Sequence, residues 1–282
     1  MRIAASLLSA LALSACAHIP AGLPSNARYV AMGSSFAAGT GINGIKPGTP
    51  QRCGRSASNY ATLVAGRLGL ALDDQTCGGA TTAHILGPWA ELPAQVEAVN
   101  ADTRLVTITI GGNDVGYVMN LFAASCLPGE GFNFQGVKHP CPAMRPPKAE
   151  DFGKLEASMR AVAREVFRRA PKARLVFVQY VKLIPDAPCA ASQLSPEGAL
   201  ATRDIGEQLA RVTARAALSE GAEVLAADQF SRGHTMCDTD KWSVGPKPGG
   251  IEAPAPWHPT AAGHAAIAVE LEAMITGKPV RR

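Results

Sequence analysis

Tyr29-Val30-Ala31-Met32-Gly33-Ser34-Ser35-Phe36 is the stretch from which the fold can be read. Four apolar residues in an unbroken run, closed by glycine and small polar residues, read as a buried strand. The serines then stand at its carboxyl end. The pattern returns where the run from Leu105 to Ile110 ends in Gly111-Gly112-Asn113-Asp114. Residues 70–73, 175–180 and 223–226 read as further strands. Between the strands, 59–68 sets Tyr60, Leu63, Val64 and Leu68 at helical spacing, and 154–169 sets Leu155, Met159, Val162 and Val166 on one face. Pro171 stops that helix. Ser195-Pro196 reads as an N-cap with proline at the first helical position, opening a helix toward Leu218 that Gly221 ends. A last helix spans 260–274.

Strands alternating with helices predict an α/β fold: a flavodoxin-like three-layer sandwich, with a central parallel sheet of about five strands and helices on both faces. Residues 41–55, 127–147 and 239–256 are long Gly/Pro-rich interruptions. Each has a cysteine inside or beside it, which marks functional or cross-linked loops. No repeat or linker divides the chain, so 27–282 is expected as one domain. In such a sheet, sites form beyond the strand ends where the strand order reverses. The first and third strands are neighbours in the flavodoxin-like order, so topology brings Ser35 and Asn113 together.

The chain has 282 residues, of which 47% are hydrophobic and 18% charged, enough apolar material for a core. A net charge of +4, without a dense basic run, excludes a dedicated nucleic-acid binder. Arg2 precedes an apolar stretch over 3–15 that is shorter than the ~20 residues needed to span a bilayer. Residues 1–15 therefore read as an export signal. Its end, Leu13-Ser14-Ala15-Cys16, resembles the bacterial lipobox, which implies a lipid on Cys16, a tether over 16–26 and membrane attachment through that lipid. The expected location is the exported face of a bacterial envelope. Six cysteines remain: Cys53, Cys77, Cys126, Cys141, Cys189 and Cys237. An even number in an exported chain predicts three disulfides. Sequential pairing, 53 with 77, 126 with 141 and 189 with 237, closes loops between neighbouring elements. No CxxC spacing supports zinc.

A serine, an asparagine and a histidine in late-strand or loop positions are the parts of acyl transfer. Gly33-Ser34-Ser35-Phe36-Ala37-Ala38-Gly39, Cys77-Gly78-Gly79-Ala80-Thr81-Thr82, Gly111-Gly112-Asn113-Asp114 and Trp257-His258-Pro259 resemble the four ordered blocks of the SGNH (GDSL) hydrolases. The cysteines resemble those of its secreted, three-disulfide esterase and phospholipase branch. The resemblance implies Ser35 as nucleophile and His258 as general base. It also implies an oxyanion hole from the Ser35 and Gly79 N–H groups and the Asn113 amide. No metal or cofactor is implied. The expected partner is a small-molecule or lipid ester, acting on a monomer.

Two departures stand out. Gly-Asp-Ser reads Gly33-Ser34-Ser35, leaving Ser34 as a rival nucleophile. Asp-x-x-His reads Ala255-Pro256-Trp257-His258, so no carboxylate precedes the histidine at the usual spacing. The backbone carbonyl of Ala255 is expected to orient the imidazole, with Glu252 and Asp114 as less favourably spaced substitutes. An acyltransferase, a sugar O-deacetylase or a non-catalytic binding lipoprotein uses the same parts.

The remaining titratable groups have plainer readings. His264 reads as structural, and His84 as a pocket or helix-capping residue. His139 and His234 read as solvated loop histidines, and His18 belongs to the tether. Asp238 and Asp240 read as solvated rather than calcium-binding, and Asp73-Asp74 as a turn. Met119, Leu121 and Phe122 read as core or pocket wall. Arg160, Arg164, Arg168 and Arg169 form a basic helix face, solvated or in contact with anionic lipid.

Overall fold

The computed structural model describes residues 22–127, 129–134, 137–247 and 254–280. The signal segment, Cys16, His18 and Glu252 lie outside the described residues. In chain order the strands are β1 (Arg28–Gly33), β2 (Ala71–Asp74), β3 (Thr103–Thr109), β4 (Phe132–Phe134), β5 (Val137–His139), β6 (Arg174–Val178) and β7 (Glu223–Leu225). The helices are α1 (Ser35–Ala38), α2 (Tyr60–Leu68), α3 (Thr82–Leu86), α4 (Tyr117–Ser125), α5 (Ala149–Arg169), α6 (Pro196–Ser219), α7 (Ala227–Phe230) and α8 (Ala261–Thr276).

Five of these strands form one parallel sheet in the order β2-β1-β3-β6-β7. This is the flavodoxin-like order, with its reversal between β1 and β3. Right-handed crossovers then send the connection from β1 to β2 over one face and those from β3 to β6 and β7 over the other. Accordingly α2 packs against α8, whereas α5 packs against α3 and α6, and α6 also packs against α4. Met32 pairs with Ile108 and Gly33 with Thr109, so the carboxyl ends of the two central strands finish level. Gly33 has φ +133°, and a Cβ there would collide with the Thr109 backbone, so glycine is required where the strand ends meet.

Local capping accounts for the helix starts. Asn59 accepts from Thr62 N, Ser195 from Gly198 N and Thr260 from Gly263 N. Helix α5 begins earlier than its apolar spacing suggests, because the Asp151 carboxylate accepts from Lys148 N and caps the preceding turn. Its arginines are ion-paired: Arg160 with Glu156, Arg164 with Glu220, and Arg168 and Arg169 with Glu165.

Several elements differ from expectation. Helix α4 has no clear apolar stripe because eight of its nine residues are apolar or small, and α3 is only a turn long. The segment after Cys126 contains an antiparallel hairpin of β4 and β5. Asp73 and Asp74 end β2 rather than forming a turn; Asp73 pairs with Arg28, and buried Asp74 accepts from Asn59 and Thr76. Leu121 and Phe122 are buried, but Met119 is 48% exposed on the outer side of α4. The disulfides join Cys53 to Cys77, Cys126 to Cys141 and Cys189 to Cys237.

Candidate active site

Ser35 is the first residue of α1, immediately beyond β1, and its side chain is half-buried. Its Oγ lies 2.7 Å from His258 Nε2. Ser34 turns the other way: it is buried, and its Oγ lies 3.3 Å from the Tyr180 hydroxyl. Only one of the two adjacent serines meets an imidazole.

His258 donates from Nδ1 to the Pro256 carbonyl at 2.7 Å. The orienting carbonyl is therefore that of Pro256, not Ala255. The physical reason is Trp257, whose φ of +60° folds the chain tightly enough to bring the carbonyl two residues back onto the ring. Ala255 instead donates its N–H to Thr40 O at 3.0 Å. Asp114 is engaged elsewhere, accepting from both the backbone N–H and the hydroxyl of Thr82. With Nδ1 protonated and bound, Nε2 presents its lone pair to Ser35.

The histidine loop is held from several sides. Trp257 N donates to Gly245 O, Val244 N donates to His258 O, and Trp257 is fully buried with Nε1 3.3 Å from Ser125 Oγ. Phe36, one residue after Ser35, packs its ring 4.6 Å from the imidazole and 4.4 Å from Tyr180. Burial lowers the His258 pKa to about 4, with the Pro256 carbonyl acting in the opposite direction. The imidazole is thus in its basic, uncharged form at neutral pH.

Backbone donors at the end of β1 and in the segment after Cys77 are unpaired. Among the described residues the backbone N–H groups of Ser35 and Gly79 have no acceptor. Gly79 has φ +83°, and a Cβ would press on the Trp89 ring at 3.1 Å, so glycine is needed for conformation and space alike. Asn113 donates through Nδ2 to Ala80 O at 2.8 Å, and Asp114 grips Thr82. The loop after β3 is thereby tied to residues 79–82, and Asn113 keeps one amide hydrogen uncommitted.

Two residues with no motif to announce them hold this arrangement together. Gln95 clasps Gly33 at both ends, Oε1 accepting from Gly33 N at 2.7 Å and Nε2 donating to Gly33 O at 3.1 Å. Tyr180, just past β6, accepts from Gly112 N at 2.9 Å while meeting Ser34. An isolated glutamine opening a short 3₁₀ turn and a tyrosine ending an apolar run carry no sequence signal for such contacts.

Among the described residues, no other histidine hydrogen-bonds to Ser35. His264 is fully buried, accepts from Tyr60 N and stacks on Tyr60. His84 accepts from Thr81 N, which closes a capping box on α3, and stacks on Trp89. His234 stacks on Trp242 and meets Asp240, whereas Asp238 accepts from Thr235. His139 lies in β5.

Comparison with known proteins bears on the family and the fold. The GDSL-like lipase/acylhydrolase family matches residues 31–266. Lipase 2 of Streptomyces coelicolor is 32% identical over 219 residues, covering 74% of this chain and 72% of that protein. The crystal structure of phospholipase A1 from Streptomyces albidoflavus superposes with a TM-score of 0.69 at 25% identity, over 88% of this chain and 99% of that one. The extracellular lipase of Streptomyces rimosus superposes with a TM-score of 0.67 at 26% identity, over 87% of this chain and 98% of that one. A parallel sheet of this order, with a serine–histidine contact at its switch point and a family match across nearly all of the sheet, makes the chain a member of the GDSL-like lipase/acylhydrolase family, an ester hydrolase of the SGNH type.

Proposed function

We propose that the chain hydrolyses carboxylic esters, including lipid esters, through an acyl-enzyme on Ser35. The observation that carries this reading is the 2.7 Å contact between Ser35 Oγ and His258 Nε2, with Nδ1 of the same ring already committed to Pro256. Ser35 Oγ attacks the ester carbonyl carbon as its proton passes to His258 Nε2. The Ser35 and Gly79 N–H groups and the free Asn113 amide hydrogen receive the oxyanion. Collapse of the tetrahedral intermediate expels the alcohol, which takes the proton from His258. A water molecule, deprotonated by the same nitrogen, then attacks the acyl-enzyme and releases the acid and Ser35. The machinery is a serine–histidine dyad oriented by a carbonyl.

Lipid esters are favoured as substrates by the lipase and phospholipase names of the relatives. Three disulfides support an exported, oxidising location. Leu13-Ser14-Ala15-Cys16 supports a lipid anchor on an envelope-bound monomer; Cys16→Ser should then release the protein from membranes.

The deciding experiment is hydrolysis of a p-nitrophenyl ester series, from acetate to long-chain acyl groups, by wild type, Ser35→Ala and Ser34→Ala. Turnover should fall by roughly 10⁴-fold or more in Ser35→Ala and persist in Ser34→Ala. The reverse pattern would move the nucleophile to Ser34. A wild type that neither turns over esters nor reacts with a fluorophosphonate probe would overturn the proposal.

A further inference from the structure

Arg55 is a buried cation whose fork meets no anion. It is 8% exposed, and its Nε donates to the Thr76 carbonyl at 2.5 Å. Among the described residues, its two terminal nitrogens have no hydrogen-bond acceptor and no ion-pair partner. The carboxylates that act on it electrostatically, Asp73 and Asp74, are bonded elsewhere: Asp73 to Arg28 and Gln75, Asp74 to Asn59 and Thr76. The terminal nitrogens are not enclosed, so the fork is held by the Thr76 carbonyl and stays open to an incoming anion.

The space beside it suits such a ligand. Arg55 lines a cavity of about 150 Å³ together with Gln75, Cys77, His84, Trp89 and Leu92. Because His84 accepts from Thr81 N at Nδ1, its ring proton is on Nε2. The His84 ring lies 4.1 Å from that of Trp89, and the Arg52 guanidinium sits 4.3 Å from the Trp89 ring. The cavity therefore combines a guanidinium, an imidazole and an aromatic wall, whereas Arg52 at its edge is already paired with Glu91 at 2.8 Å. A planar fork of this kind matches the oxygens of phosphate and carboxylate.

We propose that this cavity binds a small oxyanion, phosphate or carboxylate, seated on the Arg55 guanidinium with His84 as second donor. Cys77 in its wall is two residues from Gly79, so the anion lies beside the segment assigned to the oxyanion hole. Its source is a group on the ester substrate or a free ion. That distinction rests on the hydrolase reading; the binding site does not.

The test is calorimetric titration of the full chain with inorganic phosphate, at ionic strength held constant with chloride. Wild type should give saturable one-to-one binding, weakened at least tenfold in Arg55→Gln. Arg55→Lys, which keeps the charge but not the fork, should fall between them and stands in if Arg55→Gln does not fold. The absence of saturable binding in wild type overturns the site regardless of the variants, as does unchanged affinity in a folded Arg55→Gln. Inhibition kinetics then identify the source. If phosphate raises KM for phosphatidate in detergent micelles but not for a p-nitrophenyl ester, the substrate's own phosphate occupies the site. Binding that alters neither reaction assigns the site to a free ion. The calorimetry needs no turnover, so an inactive preparation leaves this test intact.

Discussion

His258 donates Nδ1–H to the carbonyl of Pro256 across a single residue held at positive φ. A carboxylate in that position would orient the ring and also stabilise the imidazolium formed during catalysis. The Pro256 carbonyl fixes the tautomer but contributes only a dipole to the charged form. Burial of the ring decides the balance and lowers its pKa to about 4.

Activity should therefore resist acid. With a neutral p-nitrophenyl ester, kcat/KM should hold through the ordinary histidine value of 6.5 and decline only as pH falls through about 4. A pH–rate profile measures this directly. A half-maximal point near 6.5 would mean that the imidazole is not held in the buried, neutral state.

Stability should move in the same window by linkage. His258 and His264 are depressed to about 4 and about 3 by burial, so below 6.5 the unfolded chain binds protons that the folded chain refuses. Stability is then highest above 6.5 and falls as pH drops toward the folded values, by up to about 1.4 kcal/mol per pH unit for each histidine. Thermal unfolding between neutral pH and pH 4 should show Tm falling, with a shallower slope in His264→Gln. Equal slopes in the two proteins would contradict the assignment.

Asn113→Ala should lower kcat by roughly 10²–10³-fold with little change in KM, because a lost oxyanion donor acts mainly in the transition state. The Asn113 amide also ties the loop to Ala80 O, so circular dichroism should accompany the kinetics. A loss confined to KM would assign Asn113 to ground-state binding instead.

Gln95 stabilises the site from behind. In Gln95→Leu the buried Gly33 N–H loses its acceptor, whereas Gly33 O keeps a donor in Cys77 N at 3.0 Å. The orphaned group should cost about 1–3 kcal/mol. For a chain of this size that lowers Tm by roughly 2–4 °C per kcal/mol. An unchanged Tm would show that the clasp is dispensable.

The sequence by itself determined the strand runs, their alternation with helices and hence the parallel, doubly wound sheet. It did so because buried strands leave uninterrupted apolar runs, and glycine with small polar residues marks their ends. It also placed Ser35 and Asn113 at adjoining strand ends, since topology alone makes β1 and β3 neighbours. Helix α4 escaped because a mostly apolar segment has no period to detect, and the helical turn of α3 is too short to have one.

Only the tertiary structure decided which of two adjacent serines faces the imidazole and which carbonyl holds that imidazole. Ser34 and Ser35 look alike in sequence, and they separate only when Tyr180 claims one and His258 the other. The turn at Trp257 likewise depends on burying its indole against Ser125, far away in the chain. Gln95 clasping Gly33 and Arg55 lining its cavity are likewise contacts between segments remote in sequence. Side-chain direction and buried-charge compensation are set by such neighbours, and local pattern carries no record of them.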